Sequence, residues 1–174
     1  QGKWSRYFLT TPQGQNSAKG TGINWPMMRY ADILLMYAEA ENELNGPTAA
    51  AKETVKRVRQ RAFASNRWAE KVDAYTDSRS TTKEEFFNAI VDERAWEFGG
   101  EMIRKYELIR WGIYSKKMLE TVNLHKQIVD DALSGTGKYA NLPDYMYWKR
   151  NDAGKFVVLN PNSRINSIPD ASWT

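Results

Sequence analysis

The chain of 174 residues contains no cysteine and one histidine, His125. Without cysteine there is no disulfide framework, no thiol nucleophile and no cysteine-based zinc site. A single histidine excludes a histidine-rich metal centre and argues against a Ser-His-Asp triad; His125 reads as a helix-surface residue, and no metal or cofactor is expected. Long apolar runs are also missing. The longest, Ile33 to Met36, falls far short of the roughly 20 residues a membrane-spanning helix needs. A one-sided charge is absent as well. The net charge is only +4, and the basic run Lys52 to Arg61 is offset by the acidic run Glu39 to Glu43, so no nucleic-acid footprint is present. The sequence opens at Gln1 with neither initiator methionine nor signal peptide, as a processed or excised piece of a longer protein would.

What is present is a folding composition. Hydrophobic residues make up 41% and charged residues 26%, and the length suffices for one domain with a real core. Aromatic residues reach 13%, with seven Trp and nine Tyr. Such residues fill cores, but they also stack on sugar rings and dominate binding hot spots.

Along the chain, Trp4 to Thr11 reads as a short strand and Gln13 to Gly22 as a polar loop. Asn24-Trp25-Pro26 predicts a helix start, with Asn24 as cap and Pro26 in the first turn. Tyr30, Ile33, Leu34, Tyr37, Ala38 and Leu44 trace one apolar face of that helix. Gly46 ends it and Pro47 opens a second helix to about Phe63, with Ala51, Val55, Val58, Arg59 and Ala62 on its inner face. The two form a tetratricopeptide-like hairpin, in which Ala31, Ala38 and Ala40 let a neighbouring helix approach closely. A lone pair of this kind cannot bury its own face and must stack on further helices. Residues 64 to 81 read as a long polar loop carrying Trp68 and Tyr75. Thr81-x-x-Glu84 and Thr82-x-x-Glu85 both fit a capping box at the start of a third helix. A helix from Tyr114 to Leu133 follows further on, with Met118, Val122, His125 and Val129 along one side, stopped by Ser134-Gly135-Thr136-Gly137. Tyr145 to Lys149 and Lys155 to Leu159 read as strands joined at Asn151-Asp152-Ala153-Gly154. Arg164 to Ile168 would add a third. The predicted class is mainly α: a tetratricopeptide-like hairpin stacked with further helices, plus a small β-hairpin and loop region near the C-terminus.

The most informative stretch runs from Ile90 to Gly112, two amphipathic helical pieces around a Gly99-Gly100 break. Ile90, Arg94, Glu97 and Phe98 form one stripe; Tyr106, Ile109, Arg110 and Ile113 form another that should be buried. The fourth helix is expected over Glu101 to Gly112. Arg94 and Arg110 are candidates for structural ion pairs with Glu93, Glu97 or Glu107. A carboxylate pair such as Asp92 with Glu97 doing acid-base work is the functional alternative, but no spacing fixes two carboxylates across a cleft.

These segments act as a set. Arg29 to Leu44, RYADILLMYAEAENEL, closely resembles the signature helix of the SusD/RagB family, and Val58-Arg59-Gln60-Arg61-Ala62 resembles its second helix. Ile90-Val91-Asp92-Glu93-Arg94 with Glu97-Phe98 resembles that family's ERxxEF segment, and Leu108-Ile109-Arg110-Trp111-Gly112 its DLIRWG segment. The four blocks keep their order and cover residues 24 to 115. Phe98-Gly99-Gly100-Glu101-Met102-Ile103-Arg104 is looser than the family pattern, and Glu107 stands where Asp is common. Arg164 to Pro169 resembles the family's late strand. The resemblance implies that the whole chain, 1–174, is the C-terminal part of a longer lipoprotein, with signature helices over 24–115 and a loop and short-strand region over 135–174.

It further implies binding without catalysis. Such proteins sit on the cell-surface side of the outer membrane, held by an N-terminal lipid anchor that this chain lacks. They capture glycans or other nutrient oligomers and pass them to a TonB-dependent, SusC-like transporter. No binding residue carries over by motif; Arg29, Asp32, Glu39, Arg94, Arg110 and Trp111 match the signature and read as scaffold. The candidate ligand-binding residues rest on aromatic placement alone: Trp68 and Tyr75 in the polar loop, and Tyr145, Tyr147 and Trp148 in the hairpin, with Tyr145 and Tyr147 on one strand face opposite Trp148. A tetratricopeptide-like protein-interaction adaptor and a glycoside hydrolase using Asp92, Glu93 or Glu97 are the competing readings.

Overall fold

A computed structural model describes residues 26–143 and 145–160. The expected strand at Trp4 to Thr11, the Asn24 cap and the third strand at Arg164 to Ile168 lie outside the described residues. The chain divides into two compact units, residues 1–107 and 108–174.

The first unit is built on a helical hairpin. Helix α1 spans Tyr30–Asn45 and α2 spans Ala49–Gln60. Pro26 is not in the first turn of α1, contrary to expectation. The residue before the helix is Arg29, held extended at φ −126 and ψ 157 while its guanidinium reaches Glu97 and Glu101. Gly46, at φ +79, ends α1 by donating its N–H to the Asn42 carbonyl at 3.0 Å. Thr48 then caps α2, its hydroxyl accepting from the Ala51 N–H at 3.2 Å. The helix therefore starts at Ala49 rather than Pro47. It stops at Gln60 instead of Phe63, where the Trp68 indole N–H donates to the Gln60 and Phe63 carbonyls; Ala62 is exposed rather than inward.

One core joins this hairpin to α4, Lys83–Glu97. Leu35 and Ala38 of α1, Ala51, Val55 and Val58 of α2, and Phe86, Ala89 and Ile90 of α4, with Phe98 just beyond it, form a single buried cluster. Burying a side chain such as Phe86 stabilises the fold by about 1.5–3 kcal/mol. The face α1 presents here is only in part the one its periodicity suggested: Ala38 is in the core and Leu34 packs against it, but the rest of the predicted stripe is not. Leu35, Ala38 and Asn42 are buried, while Ile33, Tyr37 and Leu44 stay exposed. Helix α1 is apolar on two sides, so a stripe alone did not choose between them.

The segment expected as a long loop is helical: a 3-10 turn at Ser65–Arg67, a π-helical stretch at Ala69–Ala74 and a short α3 at Tyr75–Ser78. Its inward side is only two residues wide, Val72 and Thr76, which is why a polar composition concealed it. Of the two possible caps for α4, Thr82 serves, accepting from the Glu85 N–H at 3.1 Å; the Thr81 hydroxyl bonds the Glu85 carboxylate.

Helix α5, Arg104–Arg110, begins later than the expected Glu101. Gly100 at φ +83 and Met102 at φ +61 are left-handed and hold that stretch out of the helix. The Tyr106 and Ile109 stripe is exposed, not buried; Glu107 and Leu108 are the buried pair of this helix.

In the second unit α6, Tyr114–Ser134, ends at Gly135, whose left-handed backbone donates to the Asp131 carbonyl at 3.0 Å. His125 lies exposed on it, as do Met118, Val122 and Val129. Two short antiparallel strands follow, β1 at Trp148–Arg150 and β2 at Phe156–Val158. They pair Trp148 with Val158 and Arg150 with Phe156. Mainly helical architecture with one small hairpin is the predicted class.

Candidate functional site

Three arginines bind the helices of the first unit together. Arg94 on α4 sits 4% exposed, 2.5 Å from Asp32 of α1, and also bonds Glu107. Arg59 on α2 lies 2.5 Å from Glu93 of α4 and donates to the Lys71 carbonyl at 3.0 and 3.1 Å. Arg29 grips Glu101 through two nitrogens, at 2.8 and 3.0 Å, and Glu97 at 2.7 Å. The Glu101 hydrogen bonds hold the Arg29 guanidinium above its usual range against the pull of burial.

The three carboxylates weighed for acid-base work take part in the same lattice. Asp92 holds Arg79 at 2.9 Å, Glu93 holds Arg59, and Glu97 is shared by Arg29 and Arg61. Burial pushes the Glu93 carboxyl above its ordinary range, and Arg59 pulls it back down. Each acid named for hydrolysis is thus engaged by a guanidinium. Among the described residues no group of three or more His, Asp or Glu is arranged to hold a metal ion.

The aromatic candidates fall into two places. Trp68 and Tyr75 are in the helical segment of the first unit. Trp68 is partly buried and spends its indole N–H on backbone carbonyls. The Tyr75 ring lies 3.7 Å from the Arg59 guanidinium and 6.1 Å from the Trp96 ring, and burial raises its phenol. Tyr75 is thus built into the ion-pair lattice between α2 and α4, and Trp68 closes the end of α2.

Tyr145, Tyr147 and Trp148 are in the second unit, and only Trp148 is in a strand. The expected opposition of faces along Tyr145 to Trp148 does not hold, because pairing starts at Trp148. Before it, Asn160, 2% exposed, clamps the chain: its amide donates to the Tyr145 carbonyl and its oxygen accepts from the Tyr147 N–H, both at 2.7 Å. At the far end Asn151 closes the turn, its side-chain oxygen accepting from Ala153 and Lys155, with Gly154 left-handed at φ +72.

The register puts Trp148, Arg150, Phe156 and Val158 on one face. Trp148 and Phe156 meet edge to face at 4.8 Å, and Arg150 lies 4.8 Å from the Phe156 centroid. Trp148 remains 57% exposed, Phe156 59% and nearby Tyr145 67%. Phe156 was not singled out from the sequence. The signal lay in strand pairing, since a diagonal across the turn brings it to Trp148.

Comparison with known proteins agrees with the motifs. The family model described as SusD family matches residues 1–164. A relative from Formosa agariphila, "SusD-like protein P25", is 47% identical over 88 residues, half of this chain and 15% of that protein. A second from the same organism, "SusD-like protein P2", is 29% identical over 106 residues, 61% of this chain and 20% of its own length. The matched region therefore spans a fifth or less of these relatives. No solved structure matches the chain.

Proposed function

The chain belongs to the SusD family, and we propose that it serves as the C-terminal part of a non-enzymatic, cell-surface lipoprotein. That protein binds glycans or other nutrient oligomers at the outer membrane and delivers them to a TonB-dependent, SusC-like transporter. Family membership supports the general nutrient-binding role. No helix among the described residues is long and apolar enough to cross a membrane.

One observation carries the site: the exposed aromatic face of the hairpin, Trp148 and Phe156, with Tyr145 exposed just before the first strand. Exposed, edge-packed rings on a short strand pair offer a platform for the apolar face of a pyranose, and Arg150, over the Phe156 ring, offers N–H donors to hydroxyls. Tyr147 supports the platform through its clamped backbone. Trp68 and Tyr75, tied to backbone carbonyls and to Arg59, belong to the scaffold in this reading.

The test is titration of the chain with an oligosaccharide panel, followed by tryptophan fluorescence and calorimetry, with Trp148→Ala and Phe156→Ala in parallel. Saturable binding that either variant abolishes supports the platform. Binding that survives both substitutions but disappears with Trp68→Ala would relocate the site to the first unit. A folded chain that binds no sugar would remove the glycan-binding role from this part of the protein.

A further inference from the structure

The cations of α2 find acids almost without exception. Lys52 lies 3.8 Å from Asp77, Lys56 lies 3.1 Å from Asp73, Arg59 lies 2.5 Å from Glu93, and Arg61 at the helix end pairs with Glu97. Arg57 differs. Among the described residues no carboxylate is within ion-pair distance of it, Glu53 one turn earlier included, and its guanidinium is 5.7 Å from the Tyr30 ring centroid.

Arg57 borders a cavity of about 260 Å³ between α1 and α2. Arg29 and Arg61 line it as well, and Tyr30, Leu34 and Val58 are among its walls. Among the described residues two carboxylates, Glu97 and Glu101, pair with Arg29 and Arg61, and neither is within ion-pair distance of Arg57. Arg57 and Arg61 are one helical turn apart, so their side chains leave the same side of α2. Arg61 gives Nη2 to Glu97 but is 66% exposed at its side chain, and Tyr30 is 63% exposed, so the remaining donors and the ring surface are open to a ligand.

We propose that this cavity binds an oxyanion substituent, a carboxylate or sulfate, carried on a saccharide ring. Arg57 and Arg61 hold the oxyanion through paired N–H donors, the geometry for which a guanidinium is suited. Tyr30 and Leu34 cover the apolar side of the ring that bears it. The inference rests on the glycan-binding reading but uses a site separate from the hairpin, and it narrows the ligand to an acidic oligosaccharide.

The experiment is calorimetric titration of the chain with an oligogalacturonate, a sulfated oligogalactan, a neutral oligogalactan and sodium sulfate alone, at low and raised ionic strength. The acidic sugars should bind more tightly than the neutral one and weaken as salt rises. Arg57→Gln should lower their affinity about tenfold, the scale of a charge-assisted contact. Lys52→Gln, which removes a cation already facing Asp77, should leave it unchanged. Arg57 is exposed, so its replacement leaves the core intact, and circular dichroism verifies this. Equal binding of neutral and acidic sugars, or full affinity in Arg57→Gln, overturns the inference while sparing the glycan reading. Sulfate alone matching the sulfated sugar overturns the assignment to a saccharide. Failure of every sugar to bind removes the glycan reading itself.

Discussion

Replacing Arg94 by leucine should nearly unfold the first unit. The guanidinium is 4% exposed, joins Asp32 at 2.5 Å and Glu107, and lies 5.0 Å from the Phe98 centroid. Removing it takes the bonded cation from Glu107, whose side chain is 7% exposed, and leaves the weaker electrostatic pull of Arg104, whereas Asp32 at 16% retains some water. Breaking a buried pair from one side costs about 3–5 kcal/mol. The contact with Phe98 adds about 0.5–1 kcal/mol. A loss near 4 kcal/mol consumes much of the ~5–15 kcal/mol by which domains are stable. With a typical urea dependence of about 2 kcal/mol per molar, the unfolding midpoint should fall by about 2 M. Urea titration followed by far-ultraviolet circular dichroism measures it. A cost under about 1 kcal/mol, the value of an exposed pair, would refute the buried-bridge account.

The same site makes a pH prediction with a definite sign. Burial pushes the Glu107 carboxyl above its ordinary 4.5, and Arg94 opposes that rise. Without Arg94 the rise is opposed by the smaller pull of Arg104 and grows. The folded state then keeps a proton that the unfolded chain has released, so stability is greatest below the unfolded value and falls as pH climbs through the folded one. The deficit of Arg94→Leu should shrink as pH is lowered from neutrality toward 4.5. Adding Glu107→Gln should flatten that slope and recover part of the loss. A slope unchanged by Glu107→Gln would mean that another group titrates.

Other perturbations give smaller, local readouts. Thr82→Ala should cost about 1 kcal/mol by removing the cap on α4, and Thr82→Ser almost nothing, both read by thermal unfolding. Gly137→Ala should destabilise the end of α6 by about 1–2 kcal/mol, because Gly137 sits at φ +91 and a new Cβ would fall 2.5–2.7 Å from the Asp131 carboxyl. Asn160→Ala removes both clamps on the hairpin, so amide exchange at Tyr147 should quicken by about tenfold or more; exchange at the α4 amides should not change.

The scaffold was legible because its signals are local. Gly46, Thr82, Gly135 and Gly154 act where they stand in the chain, and the caps and turns they predict are present. The helical segment from Ser65 to Ser78 was missed because only Val72 and Thr76 are buried on it, too few to make a period. Boundaries moved where a distant partner intervened. Arg29 stays outside α1 because its partners Glu97 and Glu101 are about seventy residues away along the chain.

The same reason explains why sites were harder to read than elements. An arginine on an amphipathic helix has one appearance in sequence and two fates in the fold. Arg59 and Arg94 meet buried acids supplied by other helices, and their charge is absorbed into the scaffold. Arg57, two positions from Arg59, turns to the other side of α2 and meets no carboxylate among the described residues. Two residues along a helix is about 200° of rotation, enough to separate a structural cation from one available to a ligand. The hairpin repeats the lesson with aromatic rings: Trp148 acquires its partner only when the register brings Phe156 across the turn. Which groups the scaffold leaves unanswered is a property of pairings rather than of any one stretch of sequence, and the proposed sites are drawn from those groups.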